Sequence, residues 1–288
     1  MTLRQVLTAA AAQLAEAPHL RDSARRDAEL LLLHHLGISR AQLLADPDRK
    51  LTEEEELSYG QSVLRRSNSE PIQYIIGQQE FYGLSFHVTP VVLIPRPETE
   101  HLVNVVLQEL PNDQYLHILD VGTGSGVLAI TLALQLPYAE VTAVDISAEA
   151  LAIARQNAET HRVTHRIHLI ESDLLAAVPA GRFDAIVSNP PYISELDRAS
   201  LHPQVRDHEP ALALFAGETG LAIYRRLVPQ AHDALGPGGL LALEIGHGQR
   251  DAVASLLQRW HNVSFVNDLQ QVPRVALARR QPDPIATR

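Results

Sequence analysis

The segment Asn189-Pro190-Pro191-Tyr192 sets an amide side chain, two residues without backbone N–H groups and an aromatic ring in immediate succession. Prolines fix the local path and donate no backbone hydrogen bonds. Their carbonyl oxygens, beside the Asn189 side-chain oxygen, make a rigid set of acceptors. The matching ligand is a planar nitrogen with two N–H donors, a primary amide or an aryl amine, and Tyr192 offers an aromatic surface for it. Asn189, Pro190 and Tyr192 are therefore the candidate catalytic residues, with Pro191 joining them in substrate binding. The competing explanation is a Pro-rich turn that only ends a strand.

A second constellation lies upstream. Asp120-Val121-Gly122-Thr123-Gly124-Ser125-Gly126 sits where an apolar strand gives way to a helix, and glycines there let a ligand approach the backbone. Alone, such a turn is common to several nucleotide-binding folds. Two carboxylates narrow it. Asp120 ends the first strand, near where an amino-acid ammonium group would sit. Asp145 ends the next, placed to accept hydrogen bonds from both hydroxyls of a ribose, although it could also serve a helix N-terminus with Ser147. A third strand ends in Glu171-Ser172-Asp173-Leu174, a polar group followed by an apolar one suited to adenine. A zwitterionic, adenosine-bearing sulfonium fits this rim better than a pyrophosphate. The expected cofactor is S-adenosylmethionine, held by Asp120, Gly122, Thr123, Gly124, Ser125, Gly126, Asp145, Asp173, Leu174 and Asn189. Methyl transfer to nitrogen then needs alignment more than a strong acid or base.

The elements that position these residues follow from periodicity. Residues 1–70 place Leu3, Val6, Leu7, Ala10 and Leu14, then Ala28, Leu31, Leu32 and His35, at helical spacing. Thr52 precedes a run of four glutamates as an N-cap, and Gly37 stops the second helix. A small helical bundle is expected. Residues 71–95 read as a linker: Ile72 to Ile76 and Phe81 to Val88 are β-type, with Gly83 available for a hairpin turn. Residues 96–288 alternate strands with helices, the strands at 116–120, 140–145, 167–171, 184–188, 240–244, 263–266 and 274–278. The predicted fold class is α/β, a Rossmann-like seven-stranded sheet whose last two strands pair antiparallel.

Composition excludes several classes. The 288 residues include no cysteine, which removes disulfides, thiolate metal sites and a cysteine nucleophile and fits a cytoplasmic location. The 14 histidines are scattered without metal-ligand spacing, so no metal is expected. A net charge of −10 and the lack of a long Lys/Arg run argue against direct DNA binding. The most apolar stretch, Val127 to Leu136, is shorter than the ~20 residues that span a bilayer. Gln13 and Glu16 interrupt the alanine-rich start, so a signal peptide is not expected.

Taken together, Glu80 to Leu84, Leu93-Ile94-Pro95-Arg96-Pro97-Glu98-Thr99-Glu100, Asp120 to Gly126, Asn189 to Ile193 and Leu243 to Gly246 resemble the HemK/PrmC family, the protein-(glutamine-N5) methyltransferases of peptide chain release factors. The resemblance covers nearly the whole chain. Its Arg-Pro-Glu-Thr-Glu segment is similar to the release-factor branch rather than to the sister branch acting on a ribosomal protein. It implies a substrate, the glutamine of the Gly-Gly-Gln loop in bacterial class 1 release factors. It also implies that the helical residues 1–70 recognise the release factor and that Asn189 and the Pro190 carbonyl hold the glutamine amide. Two departures stand out: Leu174 occupies a position that is often Trp, and Asp268 to Arg274 lacks a usual glycine. The rival acceptors are a ribosomal-protein glutamine and, on the same turn chemistry, adenine N6 in DNA, which requires base flipping.

Overall fold

In the computed structural model, residues 1–178 and 183–281 are described, so 179–182 and 282–288 of the expected catalytic region lie outside them. The chain divides into two compact units, residues 1–78 together with 200–208, and the remainder.

The first unit is helical. Helices α1 (Leu3–Ala15), α2 (Ala24–Leu36), α3 (Arg40–Ala45), α4 (Glu53–Ser67) and α5 (Ile72–Ile76) enclose a core that includes Leu3, Leu14, Leu31, Leu32, Tyr59 and Val63. Thr2, Ser39 and Thr52 each form a reciprocal capping box, satisfying N-terminal donors that a bare helix leaves open. Gly37 ends α2 at φ 60°, as expected. Arg66 and Asp27, both buried, pair at 2.8 Å. The segment Ile72–Ile76 is a helix, not the expected strand. Pro71 opens it, Gly77 closes it at φ 75°, and Ile72 and Ile75 bury into the helical core. Tertiary packing has overridden the β preference of its isoleucines.

The second unit begins with a hairpin, β1 (Gln78–Phe81) and β2 (Leu84–His87). Its turn residues, Tyr82 and Gly83, both take positive φ (54° and 72°), the geometry of a tight two-residue hairpin. Then come α6 (Pro97–Glu109), β3 (Leu116–Val121), α7 (Val127–Gln135), β4 (Ala139–Asp145), α8 (Ala148–Thr160), β5 (Ile167–Glu171) and β6 (Phe183–Ser188). Helix α9 (Pro203–His208) belongs to the first unit; in the second, the short α10 (Ala211–Leu214) precedes α11 (Ala222–Ala234), β7 (Leu235–Glu244), α12 (Arg250–Leu256), β8 (His261–Asn267) and β9 (Pro273–Arg279).

The seven-stranded sheet runs β5-β4-β3-β6-β7-β9-β8, parallel except for β9, which is antiparallel to both neighbours. Alternate strand residues feed two cores. Ile118, Val141, Ala185 and Leu240 pack with α6 and α7 on one face. Leu119, Val144, Ile186 and Leu241 pack with α11 and Trp260 on the other. The chain reverses direction of travel across the sheet between β3 and β6. That switch point opens a crevice at the strand C-termini, where open α/β sheets bind ligands. Among the described residues, no helix is long and apolar enough to cross a membrane.

Candidate active site

The glycine turn leaves β3 at the switch point. Gly122, Gly124 and Gly126 take φ of 74°, 55° and 85°, the left-handed region that side chains avoid. The Gly122 and Thr123 N–H groups donate to the Val144 carbonyl, and the Gly124 N–H donates to Asp145 Oδ2 at 2.8 Å. Asp145 Oδ1 accepts from the Ser147 N–H at 2.9 Å. Ser147, not Asp145, caps α8 by accepting from the Ala150 N–H. Asp145 thus pins the glycine turn with Oδ2 and the start of α8 with Oδ1, and each oxygen retains a lone pair for a further donor.

Asp120 lies directly beneath. It is fully buried; its Oδ2 accepts from Thr123 Oγ1 at 2.6 Å and from the Ala129 N–H at 3.2 Å, while Oδ1 has no partner. Burial pushes its carboxyl up to about 7 despite those two hydrogen bonds. Ser125 is buried and its carbonyl accepts from Asn157 Nδ2 at 2.8 Å. The same Asn157 bonds both backbone groups of His87, tying the turn to the hairpin strand. A Cβ on Gly126 would press on Ile130 and Ala154, so this glycine is required for helix packing.

The end of β5 supplies Ser172, buried and accepting from the Ala177 N–H, then exposed Asp173, which pairs with Arg226 at 2.6 Å. Leu174 follows at φ 52°.

The acceptor turn leaves β6. Ser188 anchors it by donating to the Val121 carbonyl at 2.6 Å. Asn189 Nδ2 donates to Thr99 Oγ1 at 2.9 Å, and Thr99 Oγ1 donates to Glu244 Oε2 at 2.6 Å. The Tyr192 hydroxyl donates to the other oxygen, Glu244 Oε1, at 3.2 Å. Glu244 ends β7, one position beyond the Ser188–Leu243 pair of the sheet register, so strand order alone brings it level with Asn189. Burial pushes its carboxyl up to about 7, with the Thr99 and Tyr192 bonds and the Arg274 charge opposing. Behind the turn, Gln249 donates to the Tyr192 and Gly220 carbonyls. A Cβ on Gly246 would meet Gln249 and the Tyr192 ring within 3 Å, so that glycine serves a close approach.

These elements surround a cavity of about 480 Å³, within the usual range for a small-molecule site. Gly122, Gly124, Asp145, Asp173, Leu174, Asn189, Pro190 and Pro191 line it. Of the remaining sequence-derived candidates, Asp120 sits beneath the turn, and Thr123, Ser125 and Gly126 belong to it and shape it. Tyr192 directs its hydroxyl to Glu244 and does not line the cavity. Residues that the sequence does not mark as site candidates also contribute: Pro90 to Leu93, Pro210, Leu212, Ala213, Phe215 and Arg226 complete the wall. Thr99 and Glu244 carried a signal, since Thr99 lies in the Arg-Pro-Glu-Thr-Glu segment and Glu244 is a carboxylate ending an apolar strand, like Asp120 and Asp145. Arg96 holds the far wall, donating at 2.5 Å to buried Glu209 just before Pro210.

The lining suits an adenosine-bearing ligand. A Cβ at Gly122 or Gly124 would project into open space on the cavity side, so both glycines keep that space clear. Asp145 offers lone pairs for a ribose, and Leu174 an apolar wall. Among the described residues, no group of three or more His, Cys, Asp or Glu is placed to hold a metal ion.

Residues 5–77 match the family model described as PrmC N-terminal domain, and residues 100–205 match Methyltransferase small domain. The release factor glutamine methyltransferase of Koribacter versatilis (strain Ellin345) is 47% identical over 281 residues, covering 97% of this chain and 99% of that protein. The protein of the same name from Escherichia coli (strain K12) is 41% identical over 260 residues, covering 90% and 93%. The crystal structure of a methyltransferase from Pyrococcus furiosus superposes with a TM-score of 0.52 at 19% identity, over 70% of this chain and 91% of that one, a likeness of fold. With identity of this order along nearly the full length of both chains, the protein belongs to the release factor glutamine methyltransferase family.

Proposed function

We propose that this chain transfers the methyl group of S-adenosylmethionine to the side-chain amide nitrogen (N5) of the glutamine in the Gly-Gly-Gln loop of bacterial class 1 release factors. The observation that carries the reading is the orientation of Asn189. Its Nδ2 is engaged by Thr99, which leaves Oδ1 as an acceptor at a cavity wall shared with Pro190 and Pro191. A primary amide has two donors for such a wall, whereas a carboxylate has none and would leave acceptors facing acceptors.

Asp145 takes the ribose hydroxyls, Gly122 and Gly124 admit the ligand against the backbone, and the Asp173-Leu174 pair borders the adenine. Asp120, Thr123, Ser125 and Gly126 act by fixing the turn. Bound there, S-adenosylmethionine supplies an electrophilic methyl group on a sulfonium, which leaves as a neutral thioether. Asn189 and the Pro190 carbonyl hold both amide hydrogens, which draws electron density toward the substrate nitrogen and aims it at the methyl carbon. Alignment of this kind is worth roughly 7–11 kcal/mol in favourable cases. The nitrogen then loses a proton to water. Tyr192 braces the turn through Glu244. The helical region 1–70 grips the release factor, and the reaction belongs in the cytoplasm, where release factors act. A net charge of −10 weighs against DNA as the acceptor.

The test incubates purified protein and labelled S-adenosylmethionine with unmodified release factor, a Gln→Glu loop variant, ribosomal protein and DNA. Label confined to the unmodified factor is expected. Label in DNA, or equally in the Glu variant, contradicts the reading.

A further inference from the structure

An asparagine amide can be placed in two senses, with oxygen and nitrogen exchanged, and only one of them presents an acceptor to a substrate amide. The selection in this protein is made outside the cavity. Glu244 is 1% exposed, and an ionised carboxylate only accepts hydrogen bonds. Each of its oxygens faces one hydroxyl, Thr99 Oγ1 at 2.6 Å and Tyr192 OH at 3.2 Å. Where Glu244 is ionised, above about pH 7, both hydroxyls must therefore donate to it. Thr99, 2% exposed, has a single proton, and that proton is directed at Glu244. Toward Asn189, 2.9 Å away, Thr99 Oγ1 has only lone pairs, so the asparagine must turn its nitrogen there and its oxygen outward.

We propose that Thr99 and Glu244 are positioning residues that set the polarity of Asn189, and so make the acceptor site select an amide over a carboxylate. This rests on the reading of Asn189 as the group that holds the substrate glutamine. The order Glu244, Thr99, Asn189, substrate is a chain in which each member's hydrogen-bonding sense dictates the next. The buried carboxylate at one end acts on the choice of substrate at the other without touching it. The chain spans three elements, β7, α6 and the turn after β6, so backbone geometry alone does not impose the choice.

Glu244→Gln tests this with almost no change of shape. The Tyr192 hydroxyl still donates to the amide oxygen at position 244, and the new NH2 group faces Thr99. The Thr99 proton is then released toward Asn189, which turns its nitrogen to the cavity. At pH 8, the Gln→Glu loop factor should inhibit Glu244→Gln more strongly relative to the KM of the Gln factor, the ratio moving by about tenfold or more, as expected for one reversed hydrogen bond at a closed site. Thr99→Val should lower kcat/KM for the factor about tenfold while cofactor affinity stays within about twofold, and Thr99→Ser should recover most of it. A structural role alone would not move the Gln-to-Glu ratio. An unchanged ratio in Glu244→Gln, or full activity in Thr99→Val, overturns the proposal. A second readout needs no release factor. In asparagine-labelled protein, NMR should find an Asn189 Nδ2 proton protected from solvent exchange in the parent and unprotected in Thr99→Val. Equal protection in both also overturns the proposal. If the parent leaves the release factor unmodified, the substrate reading falls, while the amide signal still decides this one.

Discussion

The cofactor rim and the acceptor turn lie side by side at the ends of β3 and β6, yet they are held in place by different means. The rim is a backbone device. Three glycines at positive φ and two backbone N–H groups bound to Asp145 define it, and nearly all the parts lie within Asp120 to Ser147. The acceptor turn depends on side chains brought from afar. Asn189 meets Thr99 from 90 positions away, and Thr99 meets Glu244 from 145. A backbone cradle tolerates many ligands that share a shape, which suits a common cofactor. A side-chain relay fixes donor and acceptor sense, which suits a site that must tell an amide from an acid.

The largest effect should come from breaking the acceptor side alone. Asn189→Ala should reduce methyl transfer roughly 10²–10³-fold, the scale seen when one oriented polar group leaves a reaction centre. Cofactor affinity, measured by calorimetry, should stay within about twofold, since the rim is built separately. An equal collapse of cofactor binding would mean that the two regions are not independent.

The two buried carboxylates, one under each region, give the next effect. Asp120 and Glu244 are both pushed up to about 7 by burial, well above the ordinary carboxylate range. The folded protein thus holds these protons more tightly than the unfolded chain does. Their stabilising contribution is complete below the unfolded value near 4 and is lost as pH rises through about 7. Ionising each group costs roughly 3–4 kcal/mol across that window. Denaturant titrations from pH 4 to 7.5 should show flatter pH dependence in Asp120→Asn and Glu244→Gln than in the parent. For Glu244 the facing groups are Arg274, Glu98, Tyr192 and Tyr224, and of these only Arg274 supplies positive charge. Arg274→Gln should therefore push the Glu244 transition further up.

On the rim, Gly124→Val forces a branched side chain into φ 55° and onto the cavity side. A strain of roughly 1–3 kcal/mol is expected, and a cofactor dissociation constant raised about 10-fold or more. The smallest effect belongs to Asp173→Ala. Its pair with Arg226 is about half exposed on both sides, so cofactor affinity should change by less than about threefold.

The same contrast explains what was legible in the sequence. The seven strands were readable because their apolar runs alternate with helical segments, and the rim because its residues are contiguous. The hairpin turn announced itself at Gly83. Ile72–Ile76 misled, since isoleucine and tyrosine favour strands until Pro71, Gly77 and a helical core are considered together. The short helices between Glu195 and Leu214 carry no amphipathic period long enough to detect. Asn189 reads as an acceptor from its place in the turn, but its partner Thr99 and the Glu244 behind it are not legible, because they join it only through the sheet order. The Tyr192 ring reads as a surface for the substrate, while the partner of its hydroxyl, Glu244, is likewise set by the sheet order.

One particular nitrogen should receive the methyl group. Purified protein, S-adenosylmethionine and unmodified release factor should be incubated together and the factor sequenced by tandem mass spectrometry. The expected result is the mass of a single added methyl group on the glutamine of the Gly-Gly-Gln loop, absent when Asn189→Ala replaces the parent. Methyl groups on another residue, or on the same glutamine with Asn189→Ala fully active, would contradict it.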